Sequence, residues 1–294
     1  MKRKVLFIIN PVSGGKKKDQ VPGLIQEHLD SKLFDAEILF SKDVGHATRL
    51  AKEADGYDMV IAVGGDGTVN EVATGLVGTD KVMGIIPCGS GNGLARFLCI
   101  PMDITKAIIA LNTAKVEAID AATLNGQWFF NMAGLGFDAH IAEIFSHDTA
   151  RGFWTYAKSA LREFLQYKPE KYTIYIDDVA YEREAFMLSF ANSSQYGNNA
   201  HVSPHASVQD GLIDVCVIKP IPVPRFPEMV MRMFAKTADK SKYVEIIRGK
   251  HIVVDVKKRS AVHLDGEPRT VKTRVDIQVQ PGVLKMMVGD KYHK

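Results

Sequence analysis

Cysteine is scarce in this sequence of 294 residues: there are three, Cys88, Cys99 and Cys216, an odd number without CxxC spacing. That argues against a disulfide framework and predicts the reduced thiols of a cytoplasmic protein. Excess charge is scarce too. Lys and Arg number 37 against 34 Asp and Glu, a net +3. This is too little to predict nucleic-acid binding, although a local basic patch could still face phosphates or an anionic membrane surface. No apolar run approaches bilayer length, and the five apolar residues after Met1-Lys2-Arg3-Lys4 are too few for a signal-peptide core. A soluble, cytoplasmic chain is expected, with any membrane contact peripheral. Internal repeats, low-complexity linkers and a Walker GxxxxGK[ST] loop are also missing. What remains, 46% hydrophobic and 24% charged residues, is an ordinary globular composition sufficient for one large or two medium domains.

The first 121 residues alternate strand and helix patterns. Short apolar runs at 5–9, 36–40, 59–63 and 82–86 read as strands, and the run at 59–63 is apolar throughout, as in a central parallel strand covered on both faces. Ala47, Leu50, Ala51 and Ala54, and later Val69, Val72, Ala73 and Leu76, recur at helical spacing. This order predicts an α/β domain with a parallel sheet over residues 1–121. Several of its strands end in turns rich in Gly, Asn, Ser or Pro, and open parallel sheets bind ligands at the carboxyl ends of their strands. Beyond residue 121 the pattern changes to runs at 127–133, 172–176, 186–191, 213–218, 252–256 and 275–279, separated by turns such as Asp177-Asp178 and Asp265-Gly266. An antiparallel β-sandwich is expected over 122–294, interrupted by helices at 154–166 and 224–236.

The most specific signal is Gly64-Gly65-Asp66-Gly67-Thr68, which follows an apolar strand and opens an amphipathic helix. Such a junction aims backbone N–H groups at an anion, and glycines permit close approach of a phosphate. Asp66 would repel that phosphate unless a cation intervened, which implies Mg²⁺; the plainer reading is a helix cap. Asn10-Pro11-Val12-Ser13-Gly14-Gly15 and three lysines follow the first strand, either a second phosphate contact or a solvated basic loop. After the fourth strand, Ser90 and Asn92 in Pro87-Cys88-Gly89-Ser90-Gly91-Asn92-Gly93 are candidate nucleotide contacts. Asp265-Gly266-Glu267 is either a hairpin turn or a pair of acids, one of which accepts a hydroxyl proton during phosphoryl transfer. Asp210 in Ser207-Val208-Gln209-Asp210-Gly211-Leu212 marks a turn or a hard-cation site for Mg²⁺ or Ca²⁺. The basic amphipathic segment 224–236 either packs on the sandwich or lies on an anionic membrane surface.

Taken in order, Asn10-Pro11-x-Ser13-Gly14, Gly45-His46-Ala47, Gly64 to Thr68 continued by Val69-Asn70-Glu71-Val72, Pro87-x-Gly89-Ser90-Gly91-Asn92, Asn131-x-x-Gly134-x-Gly136-Phe137-Asp138-Ala139 and Asp265-Gly266-Glu267 resemble the diacylglycerol kinase catalytic-domain family, which includes bacterial lipid kinases and sphingosine kinases. The resemblance implies an NAD-kinase-like nucleotide domain followed by a β-sandwich, with about the last ten residues returning to the first domain. It implies ATP contacts at Asn10, Pro11, Ser13, Gly14, Ser41, Gly64, Gly65, Asp66, Gly67, Thr68, Asn70 and Ser90. Glu267, Asp265 or Asp66 would be the proton acceptor, and the Ser207 and Leu212 carbonyls with Asp210 would hold a structural Mg²⁺. The expected reaction is ATP-dependent phosphorylation of a lipid hydroxyl, diacylglycerol-like or sphingoid. The alternatives are an NAD kinase and a non-catalytic nucleotide- or lipid-binding regulator. After Gly136-Phe137 the sequence lacks the paired acids expected to grip a sphingoid amine. The oligomeric state is open, and a homodimer is compatible with the sequence.

Overall fold

The computed structural model describes residues 2–12, 18–137, 139–140, 163, 166–256 and 259–293. The chain forms two compact units, one of residues 1–121 and 281–294, the other of residues 122–280. The helix expected at 154–166 lies almost wholly outside the described residues, as do Ser13, Gly14 and Asp138.

The first unit alternates β1 (Arg3–Ile9), α1 (Val21–His28), β2 (Phe34–Phe40), α2 (His46–Lys52), β3 (Met59–Gly64), α3 (Asp66–Leu76), β4 (Val82–Pro87), α4 (Gly93–Phe97), α5 (Ile104–Leu111) and β5 (Lys115–Leu124), the last running into the second unit. Its sheet has the order β2-β1-β3-β4 with parallel pairing throughout. All of β3 is buried, which is why its sequence carries no polar alternation. A β-α-β crossover returns each strand in the same direction, so the carboxyl ends of β1, β2, β3 and β4 all lie at one edge. The chain end adds a further parallel strand, with Lys285 opposite Val82 and Met286 opposite Met83.

The second unit contains β6 (Gln127–Phe129), β7 (Met132–Gly136), β8 (Glu170–Ile176), β9 (Val179–Ala185), β10 (Met187–Ala191), β11 (Gln195–Gly197), β12 (Ala200–His201), β13 (Ile213–Ile218), α6 (Phe226–Phe234), β14 (Val244–Gly249), β15 (His251–Asp255), β16 (Ser260–Leu264), β17 (Glu267–Val271) and the first half of β18 (Arg274–Val288). One layer runs β18-β15-β8-β9 and the other β14-β13-β10-β7-β16-β17, all antiparallel. Inward residues of both layers, among them Ile174, Leu188, Phe190, Val215, Ile252, Val262 and Ile277, form one core.

The run read as a single strand over 127–133 is two strands. It breaks at Phe130-Asn131 because the amides of Phe130, Asn131 and Met132 turn to the carboxylate of Asp265. The turns Asn125-Gly126, Asp177-Asp178 and Asp265-Gly266 have positive φ at both central residues, as tight hairpins require.

Candidate active site

The phosphate-turn candidates gather at the carboxyl edge of the first unit's sheet. Asn10 follows β1, Ser41 follows β2, the Gly64–Thr68 turn joins β3 to α3, and Ser90 lies just past β4. The turns are bonded to one another. The Asn10 amide nitrogen donates to Thr68 Oγ1 at 3.1 Å, the Ser41 N–H to the Ile9 carbonyl at 2.9 Å, and the Cys88 N–H to the Gly64 carbonyl at 2.7 Å. Asn10 Oδ1 also accepts the Val12 N–H, which bends the chain around Pro11.

Close approach explains the glycines. A Cβ on Gly64 would meet Thr68 Oγ1 at 2.4 Å, and a Cβ on Gly89 would meet the Gly65 Cα at 2.6 Å. The two turns touch backbone to backbone, and only glycine fits there. Gly65, at φ −94, adopts ordinary extended geometry. The residue that precedes α3 is Gly65, which has no side chain to cap it, and among the described residues the start of this helix is uncapped, the arrangement that receives an anion.

Asp66 caps a neighbouring helix. Its Oδ2 accepts the Asn92 N–H at 2.9 Å and its Oδ1 the Gly93 N–H at 2.8 Å, at the start of α4. Asn92 is buried, left-handed at φ 51, and closes its own turn: Oδ1 accepts the Gly89 N–H at 3.0 Å and Nδ2 donates to the Gly89 carbonyl at 2.7 Å. Glu71 does for α2 what Asp66 does for α4, accepting the N–H groups of Gly45 at 2.9 Å and Ala47 at 3.1 Å. The sequence placed Glu71 in a motif without a role. Asn70 Oδ1 faces Thr74 Oγ1 at 3.5 Å within α3, whereas Ser90 is exposed. Of the three lysines, only Lys18 is described. It is 4% exposed, so it is not part of a solvated basic loop, and burial draws its ammonium below the ordinary lysine range despite the opposing influence of Cys88.

In the second unit, Asp265 is 8% exposed and left-handed at φ 48. Its Oδ1 accepts the N–H groups of Asn131 at 2.9 Å and Met132 at 3.0 Å, its Oδ2 that of Phe130 at 3.0 Å, and its own N–H donates to the Met132 carbonyl at 2.8 Å. Its carboxylate is spent on holding the β6–β7 junction. Glu267, two residues on at the start of β17, is exposed; its backbone pairs with Leu264, and its carboxylate makes no hydrogen bond or ion pair among the described residues. Asn131 extends the same junction. Its carbonyl accepts the Asn192 N–H at 3.1 Å and the Ser193 N–H at 3.0 Å, and its Oδ1 accepts from the Ser193 hydroxyl. The polar residue interrupting the apolar run was the available signal for this network.

Ser207, Asp210 and Leu212 lie in one exposed-to-intermediate turn before β13. Asp210 Oδ1 accepts the Leu212 N–H at 3.1 Å and Ser207 Oγ the Gln209 N–H at 3.2 Å. The second oxygen of Asp210 and the carbonyl oxygens of Ser207 and Leu212 are hard donors that fit Mg²⁺ or Ca²⁺. The described residues contain no cluster of three or more His, Cys, Asp or Glu that could hold a metal ion, so backbone carbonyls would have to supply most of the donors here.

Residues 4–124 match the family model of the diacylglycerol kinase catalytic domain, and residues 131–288 match that of the YegS C-terminal NAD kinase beta sandwich-like domain. The diacylglycerol kinase of Bacillus subtilis is 26% identical over 276 residues, covering 90% of each chain. The Pectobacterium atrosepticum protein named "Probable lipid kinase YegS-like" is 29% identical over 288 residues, 95% of this chain and 94% of that one. Among solved structures, one from Bacillus anthracis superposes with a TM-score of 0.81 at 25% identity, over 98% of this chain and 96% of that one. The fold is shared with a second, a diacylglycerol kinase of that organism, at a TM-score of 0.76, 24% identity and coverage of 98% and 97%.

Proposed function

The chain belongs to the diacylglycerol kinase catalytic-domain family, and from that premise we propose that it transfers the γ-phosphoryl group of ATP to the hydroxyl of a diacylglycerol-like lipid. The observation that carries this reading is the uncapped start of α3, set among glycine turns that touch backbone to backbone. In it, Gly64, Gly65, Gly67 and Thr68 receive the nucleotide phosphates on backbone amides, with Asn10, Pro11, Ser41, Asn70 and Ser90 around them; Ser13 and Gly14, of the same motif, lie outside the described residues. Asp66 holds the turns in register through its bonds to Asn92 and Gly93.

Glu267 is the proton acceptor in this reading. It is the acid of the Asp265-Gly266-Glu267 turn whose carboxylate is not already committed to backbone amides. As the lipid oxygen bonds to the γ-phosphorus and the bond to the β–γ bridging oxygen breaks, the hydroxyl proton passes to the Glu267 carboxylate and ADP leaves. Mg²⁺ accompanying the nucleotide supplies charge neutralisation, and Ser207, Asp210 and Leu212 would hold a second, structural cation.

The test is incubation with labelled ATP and Mg²⁺ against diacylglycerol, monoacylglycerol, a sphingoid base, a polyprenol and NAD. Labelled phosphatidic acid is expected. A labelled sphingoid base would move the acceptor within the lipid class. Label in NAD alone, or none in any lipid while ATP still binds, would reject the proposal in favour of an NAD kinase or a non-catalytic regulator.

A further inference from the structure

Helix α6 carries three stripes. Phe226, Met229 and Met233, at i, i+3, i+7 spacing, face inward: Met229 is buried against Met132, Cys216 and Ile218, and Phe226 packs toward Phe137 and Phe186. Arg225, Glu228 and Arg232 form a second stripe in which Glu228 pairs with both arginines, at 3.0 and 2.9 Å. The third stripe is Pro227, Met231 and Phe234, preceded by Val223 in the turn before the helix. All four are exposed, Met231 at 71% and Phe234 at 51%. Packing explains the first stripe only.

Charge singles out the same stretch. Residues 219–242 contain Lys219, Arg225, Arg232, Lys236, Lys240 and Lys242 against Glu228 and Asp239, six basic and two acidic, or +4. The other 270 residues hold 31 basic and 32 acidic, or −1. The whole positive excess of the chain therefore sits within one helix and its flanks. Lys236, Lys240 and Lys242 are exposed, just beyond Phe234.

We propose that the outward face of α6, with its basic flanks, docks on an anionic phospholipid surface. An interfacial helix of this kind inserts a narrow apolar face to the headgroup boundary while basic residues meet the anionic lipids, and exposed methionine and phenylalanine beside exposed lysines match that chemistry. A protein partner would need acids to meet the lysines and an apolar groove for Met231 and Phe234. The surface asks for both at once, which an anionic bilayer presents everywhere. The choice of partner rests on the lipid-kinase reading; the measurement does not, since it is made without nucleotide.

The test is flotation of the full chain with phosphatidylcholine vesicles, with and without about 30% phosphatidylglycerol, at low and at high salt. Binding is expected only to the anionic vesicles, falling steeply with salt. Replacing Lys236, Lys240 and Lys242 together by Gln should weaken it by about 100-fold, since each basic residue near such a surface is worth about fivefold. The pair Met231→Ser and Phe234→Ser should weaken it by about tenfold while leaving the melting temperature unchanged, both side chains being exposed. Wild-type chain that fails to float with anionic vesicles, or variants that float as well as wild type, would overturn the proposal. So would a Met231→Ser and Phe234→Ser chain that keeps vesicle binding but loses self-association by light scattering, because the face would then be a dimer interface. Phosphorylation of a detergent-solubilised lipid by the same variants reads the kinase reaction separately.

Discussion

Two acid-containing glycine turns, one in each unit, look alike in sequence and are built alike. Asp66 in Gly64-Gly65-Asp66-Gly67-Thr68 accepts two backbone amides from the start of α4; Asp265 in Asp265-Gly266-Glu267 accepts three from the β6–β7 junction. In both, the aspartate ties its turn to a segment distant in sequence. The difference lies in what each turn leaves over. The first presents backbone amides at an uncapped helix start, suited to holding phosphate. The second presents an exposed glutamate, suited to accepting a proton. An acid in a motif can be structural while the carboxylate beside it stays exposed.

Substitutions can break this comparison. Glu267→Gln is expected to lower kcat by about 10²–10⁴ with the melting temperature and nucleotide binding near wild type; normal turnover would return the base to Asp66 or Asp265. Asp265→Ala leaves three buried amides without their acceptor and gives up a left-handed aspartate. It should cost about 3 kcal/mol or more of stability in denaturant titration. Asp265→Asn, which keeps one acceptor oxygen and tolerates positive φ, should cost about half as much and retain turnover per folded molecule far better than Glu267→Gln. Gly89→Ala forces apart the two touching backbones of the first unit. It should destabilise by about 1–3 kcal/mol and weaken binding of a non-hydrolysable ATP analogue, read by calorimetry.

The smallest expected effect is on pH. His201 is buried, its Nδ1 within 3.0 Å of Ser194 Oγ, and burial, with Lys236 as the lesser cause, lowers its pKa to about 4. The folded state therefore favours the neutral imidazole. Its contribution is complete above the ordinary value of 6.5 and is lost as pH falls from there toward 4. Melting temperature should decline across that window, and less so in His201→Gln.

Much of the first unit was legible because its strands are buried. β3 is covered on both faces and so had to be apolar throughout, and its abrupt change to glycines marked the turn. Among the strands absent from the sequence reading, β9, β14 and β17 are sheet edges. Edge strands carry charge and proline, as in Val179–Ala185 and Glu267–Val271, and so lack the apolar run by which a strand is recognised. The break between β6 and β7 was marked only by the polar Asn131 within an apolar run, and the carboxylate that causes it stands 133–135 residues away.

The α/β and antiparallel halves, the glycine turns and the family could be read from the residues alone, since each depends on local spacing and on residue types that few other arrangements tolerate. Which acids are already bonded, which lysine is buried and which face of α6 stays open emerged from the folded chain. Those follow from hydrogen bonds and packing between residues far apart in the chain, whose pairing local spacing does not specify.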